Sequence, residues 1–380
     1  MSGVIVHEWI EATGGAEKVL ESFIALFPDT PVLCLWNDAP NRFHRTEITE
    51  SVLAQTPLRR RKALALPLMP LVWSRGFRVD PEWALISSHL FAHQVKFEGT
   101  ADTEYYVYVH TPARYIWSPE LDQRGSSLAV RAVSPIFKHV DRRRARPRSN
   151  YVGNSNFVVQ RIRRAWDVDA KCIYPPVDVC HIQSVNEWAD ELDGEERKRL
   201  DSLPTEFILA ASRLVPYKRI DAAIRAGEQA GLPVVIAGTG PDDIRLRSIA
   251  EEAKVPVEFL GAVSSPMLYA LYGQCTVYVF AGIEDFGIMP VEAMATGAPV
   301  VGNICGGVAE TVIDGVTGAL CDPDDPRSLD DAIHRAAACS RANSRERARK
   351  FSVERFASEI SQWVSGSPTA AISQAYRTMK

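Results

Sequence analysis

Val277-Tyr278-Val279-Phe280-Ala281-Gly282-Ile283-Glu284-Asp285-Phe286-Gly287-Ile288-Met289-Pro290-Val291-Glu292 carries the chain from an apolar run of strand length, through an acidic turn holding a glycine, to a helix start. Val277 to Phe280 has the β-branched and aromatic character of a buried strand. Pro290 suits the first turn of a helix, where its missing N–H leaves no bond unmade. The loop between them therefore sits at a strand's carboxyl end. In open α/β sheets ligands bind there, and the free N–H groups of the following helix favour anions. Glu284 and Glu292 bracket the turn with seven residues between them. A carboxylate accepts hydrogen bonds from two vicinal hydroxyls, so the pair suits a sugar and a ribose better than a phosphate. As plain solvated charges, the same glutamates would only complement the helix macrodipole.

The strand–turn–helix pattern recurs outward from this point. Phe207 to Ala211, Val234 to Gly238, Val257 to Leu260 and Pro299 to Val301 read as further strands, with a helix over roughly Arg219 to Ala230 between the first two. Earlier, Gly3 to His7 begins a strand, Thr13-Gly14-Gly15-Ala16 breaks it, and Glu17 to Leu26 carries an apolar face at helical spacing. Pro31 to Leu35, Trp83 to Ile86 and Tyr105 to Val109 continue a first parallel sheet. Two α/β halves follow. The stiff turn Tyr174-Pro175-Pro176-Val177-Asp178 marks the hinge, giving domains over 1–178 and 179–351, with an acidic, helix-prone stretch from Asn186 to Leu203 after the hinge. An amphipathic helix over about 352–366 is expected to dock back on the first domain, and the last dozen or so residues look loose.

Composition narrows the class. A chain of 380 residues is long enough for two domains with full cores. A formal net charge of −4 argues against a general nucleic-acid binder. Seven scattered cysteines without a Cys-x-x-Cys pair read as reduced thiols, and no apolar run approaches the ~18 residues of a membrane span. No leader precedes the first strand, so a cytoplasmic location is expected.

Arg213 and Lys218 follow the Phe207 to Ala211 strand, at the same predicted sheet edge as the two glutamates, and can grip a pyrophosphate. Taken alone, Lys218-Arg219 reads equally as a solvated surface pair. Gly14-Gly15 lies at the matching edge of the first half, where residues without a Cβ let backbone N–H groups approach a phosphate. His110 ends the Tyr105 to Val109 strand in the segment Tyr108-Val109-His110-Thr111-Pro112-Ala113-Arg114-Tyr115 and is read as functional. His89 and His93 lack a third ligand and are taken as structural. Asp322-Pro323-Asp324, expected to cap a helix opening at Pro326, and Asp167-Val168-Asp169, in a turn, are read as local structure, so no metal is required.

The chain resembles the retaining glycosyltransferases of family 4, which have the two-Rossmann GT-B fold. The resemblance runs over Val6-His7-Glu8-Trp9 with Gly14 to Glu17, Ile86 to His89, His110-Thr111-Pro112, Asn154-Ser155-Asn156, Tyr174 to Asp178, Arg213 with Lys218, and Glu284 to Glu292. The His-Thr-Pro-x-Arg-Tyr segment looks most like the O-antigen mannosyltransferase branch. It implies an α/β fold of two Rossmann-like doubly wound domains facing each other across a deep cleft. It also implies transfer of a hexose, mannose favoured, from a nucleotide-diphosphate sugar such as GDP-mannose, with retention, without a metal and with no other cofactor. By the resemblance, Arg213 and Lys218 would bind the donor diphosphate and Glu292 the ribose. Glu284, with the backbone amides of Phe286, Gly287 and Ile288, would hold the hexose. Gly261 and Val263 lie where the family's backbone contacts the base. Gly14 and Gly15 would approach the diphosphate or acceptor, and His110 would bind near the sugar and stabilise an oxocarbenium-like transition state. A departure appears at Gly238-Thr239-Gly240-Pro241, where many relatives carry an acidic residue in place of Thr239.

The acceptor is expected to be a glycan or a polyprenyl-diphosphate-linked saccharide. Pro57 to Trp73 sets Arg59-Arg60-Arg61-Lys62 beside an apolar stretch, and Arg142 to Arg148 adds a second basic run. Two readings of this region stand: contact with an anionic membrane at the inner leaflet, or a core helix pair with a solvated basic end. A sugar-nucleotide epimerase or hydrolase, or a non-catalytic sugar-nucleotide-binding protein, is the alternative to transfer.

Overall fold

Strand β1 (Gly3–His7) lies between β2 (Val32–Cys34) and β4 (Trp83–Ser88). Around them β3 (Ile48–Glu50), β5 (Glu104–Val109), β6 (Asn150–Gly153) and β7 (Lys171–Cys172) complete a seven-stranded sheet in the order β3-β2-β1-β4-β5-β6-β7, every neighbour parallel. The computed structural model describes residues 2–75, 77–98, 102–118, 128–145 and 149–366, without the side chains of 115 and 128–133. Arg146, Pro147 and Arg148 of the second basic run, and the terminal residues expected to be loose, lie outside the described residues.

The chain divides into two units, Met1–Pro176 with Val353–Lys380, and Val177–Ser352. At the joint the Val177 N–H bonds the Phe351 carbonyl, and Val177 bridges Ser352. Val177 thereby pairs within the second unit, so the division comes two residues ahead of the expected one. In the first unit alternate strand residues fill two cores, as the period-2 geometry of a sheet covered on both faces requires. Val4, Val6, Ile86 and Val107 pack on one side, and Ile5, Leu85, Tyr108 and Val152 on the other. The helix Val353–Ser365 places Phe356 and Ile360 in the second of these cores, with Phe356 stacked on Phe23 at 6.0 Å.

The second unit repeats the plan with β8 (Ile208–Ala211), β9 (Val234–Ala237), β10 (Val257–Gly261), β11 (Val277–Phe280), β12 (Val300–Asn303) and β13 (Gly318–Cys321), ordered β10-β9-β8-β11-β12-β13 and again parallel throughout. The chain therefore has two Rossmann-like α/β halves. The acidic stretch after the hinge resolves into a 3-10 turn, Trp188–Glu191, and a short helix, Gly194–Asp201, capped by Asp193. One sequence expectation is corrected here. The helix Pro326–Ala337 is capped by Asp325, whose carboxylate accepts the Arg327 N–H at 3.0 Å, and not by Asp322 or Asp324. Among the described residues no helix is long and apolar enough to cross a membrane.

The strand orders locate a switch point in each sheet. Chain direction reverses across the sheet between β1 and β4 in the first unit and between β8 and β11 in the second. Loops leaving the carboxyl ends of these four strands diverge, and the crevice they open is where doubly wound sheets take ligands.

Candidate functional site

In the second unit the loops after β8 and β11 carry the charged groups singled out above. Arg213 is exposed and donates to the Tyr217 hydroxyl at 3.0 Å. The chain then makes a 3-10 turn, Pro216–Lys218, and enters the helix Ile220–Ala230 through Arg219 in the left-handed region, at φ 55°. A non-glycine residue there needs outside support. The Arg219 guanidinium supplies it through Asp324, at 2.6 and 3.2 Å, and Asp221, at 3.5 Å. Lys218-Arg219 is thus no solvated surface pair: Arg219 locks the turn and Lys218 is turned to Glu284, with which it forms a half-buried ion pair. The Lys218 ammonium also lies 5.6 Å from the Phe280 ring centroid.

Glu284 sits on the loop leaving β11. Gly287 at φ 89° turns that loop into the helix Ile288–Thr296, so the Phe286, Gly287 and Ile288 amides lie at a helix N-terminus. A side chain with a Cβ would resist that dihedral. Phe286 is buried against Phe351 at 5.6 Å and anchors the turn. Glu292 lies inside the helix and is only 7% exposed. Burial first, and then the Glu292 carboxylate, push the Tyr269 hydroxyl up. That is the electrostatic sign of an anion held in a weakly solvated place.

The sequence reading passed over a third loop at this edge. Asn303, at the end of β12, donates to the Ala281 carbonyl at 2.8 Å and accepts the Cys305 N–H at 2.8 Å. The Gly307 N–H then bonds the Glu284 carbonyl at 2.8 Å. The signal was present as Gly306-Gly307 just after a strand, the same pattern used for Gly14-Gly15.

Gly261 ends β10 at φ 69°, and its carbonyl accepts the Gly238 N–H at 2.7 Å. Val263 is half-buried, one residue before Ser264, which caps the helix Ser265–Gln274. Thr239, the point of departure from the family pattern, accepts the Leu214 N–H through its carbonyl at 2.9 Å. It braces the Arg213 loop by backbone alone, so that contact needs no acidic side chain.

In the first unit the carboxyl ends of β1, β4 and β5 bring His7, Ser87 and His110 into line. The Ser87 hydroxyl lies 2.9 Å from His7 Nδ1 and 2.8 Å from His110 Nε2. His7 is fully buried, and desolvation, with the nearby His110 charge second, lowers it to about 3. His93 and His89 part company. His93 is fully buried with Asp141, 3.0 Å away, whereas the His89 ring lies 6.3 Å from His110 and 5.9 Å from His7, beside the candidate site. Behind them the buried Glu8 carboxylate accepts the Leu90 and Ala92 N–H groups at 2.9 and 2.6 Å, tying the loop that carries His89 to β1. Burial pushes Glu8 up to about 7 against the pull of these donors. Gly14 and Gly15 lie exposed at the start of the helix Gly15–Leu26, after β1. Gly14 has an extended backbone, and the Glu17 carboxylate stands where its Cβ would be.

Two parallel Rossmann-like halves, the second presenting a cation pair, a carboxylate and a helix N-terminus at its switch point, define a nucleotide-sugar class of fold and site. Residues 193–355 match the family profile described as Glycosyl transferases group 1, and the second unit is a domain of that family. The Uncharacterized glycosyltransferase MJ1607 of Methanocaldococcus jannaschii is 36% identical over 131 residues, covering 33% of this chain and 34% of that protein. The GDP-mannose-dependent alpha-(1-6)-phosphatidylinositol monomannoside mannosyltransferase of Mycobacterium tuberculosis is 30% identical over 194 residues, covering 47% of this chain and 50% of that protein. The chain thus spans about a third to a half of the length of these relatives. Anabaena Alr3699/HepE, solved in complex with UDP, shares the fold with a TM-score of 0.72 at 19% identity, over 97% of this chain and 100% of that one.

Proposed function

We propose that the chain is a retaining, metal-independent family 4 glycosyltransferase. It moves a hexose, with mannose favoured, from a nucleotide-diphosphate sugar to a hydroxyl of a glycan or polyprenyl-diphosphate-linked acceptor in surface polysaccharide synthesis. The observation that carries this reading is the Lys218–Glu284 pair beside the helix N-terminus at Gly287. Lys218 and Arg213 offset the charge of a leaving diphosphate, the helix amides add fixed dipoles, and Glu284 takes the sugar hydroxyls. Buried Glu292 takes the ribose. Same-face substitution, with the departing phosphate helping to deprotonate the acceptor hydroxyl, gives retention without a protein nucleophile. A trapped glycosyl-enzyme adduct would overturn that step.

GDP-mannose is the first donor to test, since a mannosyltransferase named for it is among the relatives, and UDP-sugars come second. The expected result is a thermal shift with one nucleotide class, lost in Glu292→Ala and Lys218→Ala, because a ligand held only by the folded state stabilises it by mass action. Transfer should persist in EDTA. Absence of any shift at saturating sugar nucleotide, or a strict divalent-cation requirement, defeats the assignment.

We also place the chain in the cytoplasm, in peripheral contact with an anionic membrane. Leu64, Leu68 and Leu71 stand 58%, 41% and 44% exposed, flanked by exposed Arg60, Arg61 and Arg75. Arg59 and Lys62 are engaged with Asp38 and Glu11, which leaves Arg60, Arg61 and Arg75 to face lipid headgroups. Replacing Arg60 and Arg61 by Glu is expected to reduce co-sedimentation with anionic vesicles by about 10-fold or more, at ~1 kcal/mol per cation. Unchanged binding removes the membrane contact.

A further inference from the structure

The His7, Ser87, His110 line holds more information than its distances. Parallel pairing sets His7 opposite Ser87, and Ser88 opposite Val109, so strand register fixes the three side chains in a row. A serine hydroxyl has one proton. Hydrogen-bonded to both imidazoles, it donates to one ring and accepts from the other. The choice between these directions is made at the far side of His7, where Nε2 is buried with no hydrogen-bond partner among the described residues. A buried N–H without a partner is the rarer and costlier orphan, and a bare ring lone pair the more tolerable one. The proton of His7 therefore sits on Nδ1 and is donated to Ser87. Ser87 in turn donates to His110 Nε2, and the proton of a neutral His110 is left on Nδ1.

We propose that His7 and Ser87 are positioning residues that hold His110 as the neutral Nδ1–H tautomer, so that its ring donates a hydrogen bond from Nδ1 and carries no positive charge. This deepens the proposed function, resting on it for the presence of sugar near His110. Charging His110 puts a proton on Nε2, which turns Ser87 around and forces the His7 proton onto the partnerless Nε2. The groups facing His110 oppose the charge as well. They are His7 from β1, His89 from the loop after β4 and Tyr108 from its own strand, with Arg42 and Lys62 adding positive charge felt at His7 and His89. A neutral donor suits a sugar hydroxyl or ring oxygen and leaves the site's positive charge to Arg213 and Lys218.

The test is histidine-selective 15N NMR of the whole chain, with the His110 signals assigned through His110→Gln. In the wild type, Nδ1 should show a protonated-type shift and Nε2 a bare-type shift at pH 7. Ser87→Ala should move the ring toward the Nε2–H tautomer and raise its titration toward the ordinary histidine value near 6.5. Transfer by this variant should fall about 10-fold further at pH 6 than at pH 8, as a neutral donor is lost to protonation. Ser87→Thr, which keeps the hydroxyl, should restore both. A wild-type His110 protonated on Nε2 overturns the relay whether or not any variant folds. An Nδ1–H tautomer that depends on Ser87, with transfer indifferent to it, upholds the relay and instead removes His110 from the proposed transfer site.

Discussion

Lys218→Met is expected to lower glycosyl transfer by about 10²–10³-fold, the range seen when one preorganised electrostatic contact to a developing charge is removed. Glu284→Gln should lower transfer by a similar factor for a different reason, and free nucleoside diphosphate separates the two. Without donor, Lys218 spends its charge on Glu284 in a half-buried pair. A diphosphate arriving at Lys218 competes with that carboxylate. Removing the lysine leaves Glu284 uncompensated beside the phosphates, so the nucleotide meets repulsion as well as a lost contact. Neutralising Glu284 frees the lysine, so nucleoside diphosphate should bind Glu284→Gln as tightly as the wild type or about threefold more tightly, while transfer of the hexose collapses. The double variant should bind the nucleotide better than Lys218→Met alone. Isothermal titration with GDP and UDP, set beside kcat/KM for transfer, reads all three variants. Strictly additive losses in nucleotide affinity would show that the pair does not gate the phosphate.

The parts of this architecture legible in the sequence are those with local causes. Val234 to Ala237 and Val277 to Phe280 are apolar throughout because both faces of their sheet are covered, and such runs identify themselves. The strands that escaped reading are short. Ile48–Glu50 lies at a sheet edge with its last two residues exposed, and Lys171–Cys172 is a two-residue edge. Neither has room for a periodic pattern. Gly318–Cys321 opens on a glycine whose φ of 153° and close approach to Val300 make sense only beside its neighbour strand. The site divides in the same way. Arg213, Lys218, Glu284 and Glu292 follow recognisable strand ends, so their types and positions were readable. The links that organise them were not, because register brings together residues far apart in the chain: His7 with Ser87 across 80 positions, Arg219 with Asp324 across 105. Asp325 took the cap expected of its neighbours for a related reason, since Asp324 is drawn to Arg219.

Gly307→Val is expected to cost the second unit about 2–4 kcal/mol and to weaken nucleotide binding by about 100-fold, although residue 307 is not among those assigned to the donor. Its φ of −67° is open to any residue, so backbone conformation is not what demands glycine. Space is. A Cβ there would run into the Phe286 Cα and the Asp285 carbonyl, and would stand 2.7 Å from the Phe286 nitrogen. These are backbone atoms of the turn carrying Glu284, and they cannot swing aside as a side chain can. The turn has to shift bodily, and with it go the bond from the Gly307 N–H to the Glu284 carbonyl and the aim of the helix amides at Gly287. A displacement of about 1 Å at such a site is worth about two orders of magnitude in productive binding. Gly315→Ala is the matched control. Its φ is 72° with open space around the Cβ, so it should lose about 1–2 kcal/mol to left-handed strain and leave nucleotide affinity unchanged. Urea unfolding and nucleotide titration on both variants distinguish a loop that is merely less stable from one that is misplaced. If Gly307→Val binds nucleotide like the wild type, the Glu284 turn is held by Phe286 and its helix alone, and the third loop has no part in the site.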